Sequence, residues 1–483
     1  MLQLPSSELV LAPGHAVEWR VQTSAARTAV PGPGPVPAAG SGGPEPSRPL
    51  PSYNQEYHFG AFAPPADGAG DRDRDTDRRT DSYAGTFEIR GGLDRPALEA
   101  ALLHCVRRHP ALRCAFRPSP GGLVIEVAAP QDVKLEPVDH GPVTSPAGAR
   151  AHAERFLRAT DTRDGPWIVM GAMVREESTT VHFACDHLVT DGTSMMIVLN
   201  DIATAYEAFA SGREPELPVA GDFTDHSGEE RRRTASARAD DSGLEHWRGF
   251  IARNGGPFPR FPLDLGIEPG GGGPARNTTA TLLDASGAAA LEARCREAGA
   301  SVATGALAAV GVALRKLGGP GVHRTLVPVG TRGRGRHAHS VGWFVNLLPV
   351  EFPVAEGAGL VRTVAAARDA STRMIRGGRV PFVVVLRLLA PEHYARPWPH
   401  AVNFFSYMDF RDVPGAARHA DREAGVYTSV PATNGMFLWL HRTHDGLHLN
   451  TVHVDTPQAR RTGAALVGTL ARTLEDMAHH GGL

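Results

Sequence analysis

The sequence predicts a mixed α/β chain folded as two lobes. Three observations point there. The 483 residues are 42% hydrophobic and 21% charged, enough apolar surface for a sizeable core and, at ~100–200 residues per domain, for two large domains. Helical and strand periodicities alternate irregularly with no internal repeat, which disfavours a barrel or a doubly wound sheet. A polar stretch over residues 211–243, carrying Arg231, Arg232 and Arg233, separates two patterned halves and is expected to bridge them.

Taken in order, residues 8–22 predict one or two short strands around the Pro13-Gly14 turn. Residues 23–51 are rich in Ala, Pro, Gly and Ser and carry almost no large apolar side chains. They cannot bury enough surface to offset their ordering entropy, so a flexible linker is expected. Residues 63–81, with alternating charges from Asp71 to Arg79, read as a solvated loop. The expected organisation is therefore 1–50 as a strand-like segment plus linker, 51–225 as the N-terminal lobe and 226–483 as the C-terminal lobe.

A strand is predicted over 83–90. Asp94 can cap a helix with Pro96 in its first turn and Leu98, Leu102, Cys105 and Val106 at helical spacing. Strands follow at 122–128, 167–174 and 179–186, the last with Val181, Phe183 and Cys185 on one face and His182, Ala184 and Asp186 on the other. The next helix has an apolar stripe of Met195, Val198, Leu199, Ile202, Tyr206 and Phe209 and ends at Gly212. Beyond a Gly-rich loop at 270–273, the pattern gives helices at 286–298 and 301–317. Strands at 323–329, 344–352, 400–408, 434–441 and 446–454 and a helix at 457–478 complete it.

Composition excludes several function classes. Fifty basic residues against 52 acidic ones give a net charge of −2, too even for a dedicated nucleic-acid binder. Only Lys134 and Lys316 among the basic residues are lysines, as in the product of a GC-rich genome. Cys105, Cys114, Cys185 and Cys295 show no CxxC spacing, so no disulfide framework or zinc knuckle is expected and a reducing cytoplasm fits. No apolar run reaches the ~18–20 residues of a membrane span, and the N-terminus lacks a signal-peptide layout. The nucleophile elbow G-x-S-x-G, the phosphate loop G-x-x-x-x-G-K, a dinucleotide fingerprint and H-E-x-x-H are missing, and Gly330, Gly333 and Gly335 fit none of them.

The most informative segment is Cys185-Asp186-His187-Leu188-Val189-Thr190-Asp191-Gly192, where a strand hands over to a helix. An imidazole there can accept a proton near neutral pH. A carboxylate four residues on can hold the loop by pairing with an arginine, and glycine lets a substrate approach the backbone. By itself the pattern is short enough to arise as a surface loop with a capping Asp. Cys185 falls on the buried side of its strand and reads as a core thiol.

The segment resembles the H-H-x-x-x-D-G signature of condensation domains of nonribosomal peptide synthetases, in the superfamily with the chloramphenicol acetyltransferase fold, with Asp186 in place of the first His. Further blocks resemble that family in its order. These are Ser52-Tyr53-Asn54-Gln55-Glu56, Arg108-His109-Pro110 through Phe116, a faint Asp222-Phe223, Val327-Pro328-Val329 through Arg332, Val341-Gly342-Trp343-Phe344-Val345-Asn346-Leu347-Leu348-Pro349 and Val380-Pro381-Phe382. The resemblance covers roughly residues 50–480.

It implies two chloramphenicol acetyltransferase-like lobes in a V with a central tunnel, a thioester donor entering from one face and an acceptor from the other. It implies His187 as general base or acceptor-positioning group, Asp191 as the partner of Arg332 (with Arg334 and Arg336 as competitors) and Gly192 as a gap at the constriction. Asn346, Ser406 and Trp343 are candidates for substrate binding; Asn346 alternatively shapes the crossover between the lobes or caps a loop, and Ser406 is alternatively an ordinary strand serine. Asp186 either replaces a structural His as a hydrogen-bonding residue or, beside His187, favours imidazolium and weakens the base.

Other clusters are set aside. His441, His444 and His448 lie near Asp445, but a hairpin turn at 444–446 is expected to point them apart, and no metal site is expected. His337 and His339 are expected to be solvated. The arginines at 332, 334 and 336 could meet the phosphates of coenzyme A or phosphopantetheine.

The leading reading is a cytoplasmic, monomeric condensation-type acyltransferase of secondary metabolism. It joins an acyl or aminoacyl thioester, delivered in trans by an acyl or peptidyl carrier protein, to a small-molecule amine or alcohol. No resident cofactor is expected. The alternatives are an O- or N-acyltransferase using acyl-coenzyme A, and a non-catalytic module that recruits a carrier protein, supported by Asp186 alone.

Overall fold

A computed structural model describes residues 3–23, 49–61, 82–119, 122–268, 271–354, 359–395, 402–430 and 432–479. Most of the expected linker, the whole charged loop at 63–81, and parts of the 270–273 loop and of the 400–408 strand lie outside the described residues.

The first half contains strands β1 (Gln3–Pro5) and β2 (Gly14–Gln22), helix α1 (Tyr53–Ala61), strand β3 (Ser82–Arg90) and helix α2 (Arg95–Arg108). Strands β4 (Cys114–Ser119), β5 (Gly122–Val127) and β6 (Lys134–Val143), helix α3 (Pro146–Leu157), strands β7 (Ile168–Val174) and β8 (Ser178–Asp186) and helix α4 (Gly192–Ala210) follow. Local chemistry sets the helix starts. The Asp94 carboxylate accepts from the Ala97 amide at 3.0 Å with Pro96 beside it, and Ser145 caps α3 ahead of Pro146 in the same way. Helix α4 is apolar nearly all round and is buried along most of its length, against α2 and β3.

The second half contains α5 (Phe223–Thr234), α6 (Glu245–Asn254), β9 (Gly273–Asp284), α7 (Ala285–Glu297), α8 (Val302–Lys316), β10 (Val322–Gly330) and β11 (Val345–Pro353). Helices α9 (Gly359–Gly377), α10 (Phe382–Leu389) and α11 (Pro391–Tyr394) precede β12 (Asn403–Asp409), β13 (Gly425–Ser429), β14 (Ala432–Thr433), β15 (Met436–Thr443), β16 (Gly446–Val454) and α12 (Pro457–His479).

Among the described residues, two seven-stranded sheets organise the molecule as two lobes. The first has the order β1-β13-β3-β8-β7-β2-β6 and the second β11-β10-β12-β15-β16-β9-β14. One face of the second sheet buries Val350, Phe352, Leu438, Leu440 and Leu449 against α8, α9 and α12. The opposite face carries Phe404, Ser406 and Met408 of β12, in register with Phe437, Trp439 and His441 of β15.

The sheets cut across the boundaries expected at residues 50 and 225. Strands β1 and β2, before the linker, belong to the first sheet, and so does β13 from the far end of the chain. The segment before β11 also crosses over: Val341 and Phe344, with Phe410 and Val426, sit in the core of the first lobe. Asn450 of the second sheet donates to the Gln3 carbonyl of the first at 3.2 Å. The lobes are therefore laced together at several points.

Some elements differ from expectation. The polar bridge at 211–243 contains α5, whose start is fixed by Asp222 capping Thr224 at 2.7 Å and by Phe223 buried in the first core. Strand β9 was not anticipated, because Arg276 to Thr281 offer no apolar alternation. Helix α9 was missed because much of its buried stripe is the small residues Thr363, Ala367 and Ala370. His441 and His448 do not point apart: they are directly opposed across β15 and β16 and share a face. His448 bonds to Thr281 at 3.1 Å and Thr443 at 3.0 Å, and His441 stacks on Phe410. His337 is buried against His226 and Phe344 rather than solvated. Among the described residues no single helix is long and apolar enough to cross a membrane, and no group of three or more His, Cys, Asp or Glu side chains is placed to hold a metal ion.

Candidate active site

Strand β8 is buried along almost all its length and ends at Asp186. The chain then makes one 3-10 turn, His187–Val189, passes through extended Thr190 and Asp191, and enters α4 at Gly192. Each step has a local cause. The buried Asp186 carboxylate caps the turn by accepting from the Leu188 amide at 2.8 Å, and it also accepts from the Thr162 hydroxyl. Asp191 caps α4 by accepting from the Ser194 amide at 2.7 Å.

Helix α1 secures the turn from outside. Ser52 and Gln55 form a reciprocal capping box, with amide-to-side-chain distances of 2.9 and 3.2 Å. The Gln55 amide then donates to the Leu188 carbonyl at 2.7 Å. The Ser-x-x-Gln-Glu block thus holds the histidine turn in place, and Arg231 of α5 holds the block through Glu56 at 2.7 Å and the Pro51 carbonyl at 2.8 Å.

The His187 ring has a defined tautomer. Its Nδ1 lies 3.0 Å from the Thr190 carbonyl. A carbonyl only accepts, so Nδ1 carries the hydrogen and Nε2 keeps its lone pair. Burial lowers the pKa of His187 below the ordinary value, and the opposing pulls of the Asp191 charge and the Thr190 carbonyl do not restore it. The ring is therefore neutral at pH 7. The imidazolium envisaged from Asp186 does not arise, because that carboxylate is directed to Thr162 and Leu188.

Aromatic side chains surround the ring. Trp343 stacks on it at 3.9 Å between centroids with 28° between planes, and Tyr83 of β3 meets it edge-on at 5.2 Å. His58 of α1 lies 6.0 Å from His187 and meets Trp343 edge-on at 5.2 Å. Neither His58 nor Tyr83 was singled out in the sequence. Both are far from residue 187 along the chain, and no local spacing connects them to it.

Asp191 is enclosed by donors. Arg332 reaches both its oxygens from one nitrogen at 2.9 and 3.1 Å, and the Phe344 amide donates at 2.9 Å. Arg332 also donates to Ser194 Oγ at 2.7 Å and to the Ser340 carbonyl at 3.1 Å, and its guanidinium lies over the Phe344 ring. Ser194 exchanges hydrogen bonds with the backbone of Gly342 at 2.8 and 3.0 Å. This network pins the crossing 332–344 segment onto the start of α4. Arg334 is exposed, and Arg336 turns to Glu229 and Asp225 instead.

Gly192 lies beside the second lobe. Among the described residues, a Cβ added there would meet only the Met408 methyl, at 3.1 Å. Ser406 is half-buried one pleat away on the same face of β12, opposite Trp439. Of the readings open for Asn346, the structure shows the loop clamp and not the substrate contact. Its amide donates to the Gly378 and Val380 carbonyls at 3.3 and 3.1 Å and accepts from the Leu347 and Phe382 amides at 3.0 and 2.8 Å. That leaves it no capacity for a ligand. The Cys185 thiol is buried and pushed up to about 12, consistent with an inert core residue.

Two laced sheets with a neutral histidine at a strand-to-helix junction define the condensation type of fold. The condensation-domain family model matches residues 77–423, and the chain belongs to that family. It is 27% identical to the acyltransferase PapA3 of Mycobacterium tuberculosis over 383 residues, 78% of this chain and 79% of that protein. It is 25% identical to the trehalose-2-sulfate acyltransferase PapA2 of Mycobacterium tuberculosis over 396 residues, 80% of this chain and 82% of that one. A solved structure of PapA2 acyl transferase superposes with a TM-score of 0.84 at 22% identity, covering 99% of this chain and 100% of that one. The protein is an acyltransferase.

Proposed function

We propose that the protein transfers an acyl group from a thioester to a hydroxyl of a small polar acceptor, with His187 as the general base. The observation that carries the reading is the locked tautomer: Nδ1–H is held by Thr190, and Nε2 is the one ring nitrogen left to take a proton. Nε2 takes the acceptor's O–H proton as its oxygen attacks the thioester carbonyl. The C–O bond forms, the C–S bond breaks, and the departing sulfur receives the proton back from Nε2. The thioester is already activated, so proximity and deprotonation suffice and no acyl-enzyme is needed.

The name of one relative, the trehalose-2-sulfate acyltransferase PapA2, favours a hydroxyl acceptor and an ester product over an amide. The donor is carried on the phosphopantetheine of a carrier protein or on coenzyme A. The recruitment reading rested on Asp186, whose side chain serves as a local cap beside an intact His187.

The test is thiol release and product mass with acyl-carrier and acyl-coenzyme A donors against a pool of polyols and amines. Acceptor-dependent release that collapses ~10²–10⁴-fold in His187→Ala supports the reading. Equal release in both proteins removes His187 from the chemistry, and the better donor identifies the carrier of the acyl group.

A further inference from the structure

The imidazole of His187 is held at three points. The Thr190 carbonyl fixes Nδ1, Trp343 covers one face and Tyr83 meets the ring at 89°. Trp343 in turn is held edge-on, at 84°, by a second histidine that no motif covers. That residue, His58, is itself buried on α1, the helix whose Gln55 already tethers the histidine turn. Two separate contacts therefore run from α1 to the same ring, one through backbone and one through an aromatic chain.

We infer that His58 and Trp343 are positioning residues for His187: Trp343 sets the plane of the imidazole, and His58 sets Trp343. The inference rests on His187 acting as base. A base must hold its lone pair within hydrogen-bond reach of the acceptor proton, and a ring free to rotate about its last bond would keep it there only part of the time. Stacking also excludes water from one face, which keeps the ring uncharged. Among the described residues, the charged or titratable groups around His187 are Asp186 beside it in the chain, whose carboxylate caps the turn, Asp191 at the N-cap of α4, which raises its pKa, Arg332 beyond Asp191, and His58 and Tyr83, which face it from α1 and β3. Burial drives the His58 pKa down to about 3, so that ring adds no charge at working pH.

The experiment compares Trp343→Ala, Trp343→Phe and Trp343→Leu with His58→Ala and His58→Phe. Two readouts are taken: steady-state kinetics against pH, and an NMR titration of the His187 ring, assigned by the signal lost in His187→Ala. In Trp343→Ala, kcat is expected to fall ~10–100-fold with donor and acceptor KM changed less than ~3-fold. The acid limb and the ring titration are expected to rise together by about one pH unit. Phe at 343 restores most of the loss, whereas Leu, of similar bulk but without a ring plane, does not. His58→Ala gives a smaller version of the same change, and His58→Phe keeps the edge contact and corrects it.

A rise in KM alone, with kcat and the titration unmoved, would make Trp343 a substrate wall and overturn the inference. So would wild-type behaviour in both alanine variants. If Trp343→Ala does not fold, the Phe and Leu variants decide. The two readings fail separately. Full turnover in His187→Ala sinks the general base, while an unmoved ring titration in Trp343→Leu sinks the positioning role whatever the activity shows.

Discussion

Replacing Asp191 with alanine tests the seam between the lobes. The carboxylate receives the Ser194 and Phe344 amides and Arg332, and the Asp191 and Arg332 side chains are only 4% and 9% exposed. Removing one partner of a buried ion pair costs about 3–5 kcal/mol, because the other charge is left without its counter-ion. A lost helix cap adds about 1 kcal/mol, and an unsatisfied buried amide about 1–3 kcal/mol. These losses share one site and are not additive. Arg332 also keeps Ser194 Oγ and the Ser340 carbonyl. The expected cost is therefore about 4 kcal/mol, a large part of the ~5–15 kcal/mol of a typical domain. Asp191→Asn, which keeps the cap but not the charge, should cost about half as much. Adding Arg332→Met to Asp191→Ala should recover about 2 kcal/mol, because the stranded cation goes with its partner. Urea denaturation at constant slope reads each value. A cost below about 1 kcal/mol for Asp191→Ala, or a double variant no better than the single one, would refute the account of the seam.

The remaining predictions concern acid, bulk and a clamp. His58, His182 and His441 are buried with pKa values lowered to about 3 by desolvation, so each is neutral when folded and protonates near 6.5 when unfolded. Their contribution is complete above pH 6.5 and is lost as pH falls from there towards 3. The loss is about 2 kcal/mol per histidine at pH 5, and a denaturation midpoint unchanged between pH 7 and 5 would contradict this. Gly192→Ala should lower kcat/KM by no more than ~3-fold, since the flexible Met408 methyl can give way, whereas Gly192→Leu should abolish turnover and Met408→Ala should partly restore it. Wild-type turnover in Gly192→Leu would place the residue away from the reacting groups. Asn346→Ala releases the 378–382 segment at a cost of about 2–3 kcal/mol, and trypsin should then cut faster after exposed Arg379. Unaltered proteolysis would mean that other contacts hold that segment.

What the sequence revealed follows from the range of its signals. The strand-to-helix junction at 186–192 and the Asp94 cap were legible because alternation, helical spacing and capping act over a few residues. Two lobes were legible from the two patterned halves. The partner of Asp191 came from the resemblance, which named Arg332, and the fold forms that pair; local spacing alone could not choose it, since three arginines lie within five residues. Asn346 was placed in the right crossing segment, and its loop-capping and substrate-binding readings both stayed open, because a side-chain amide that clamps a loop and one that faces a ligand look alike in a sequence. Strand β9 lacked alternation because its leucines, Leu282 and Leu283, lie at one end. His58 and Tyr83 meet His187 only through tertiary packing, for which no single-sequence pattern exists.

The place of β13 between β1 and β3 bears on how the chain is made. A ribosome finishes β3 at Arg90 and must add roughly 335 more residues before it starts β13 at Gly425, about 17–70 s at ~5–20 residues per second. For that time one edge of β3 has unpaired amides and carbonyls, the kind of template on which nascent chains aggregate. The emerging first lobe must wait with an open edge until nearly the last strands are synthesised. Yield should therefore respond to chaperone supply and to slower growth temperature. A first lobe expressed alone should stay soluble only if the Gly425–Ser429 strand is supplied with it, as a fused or separate peptide.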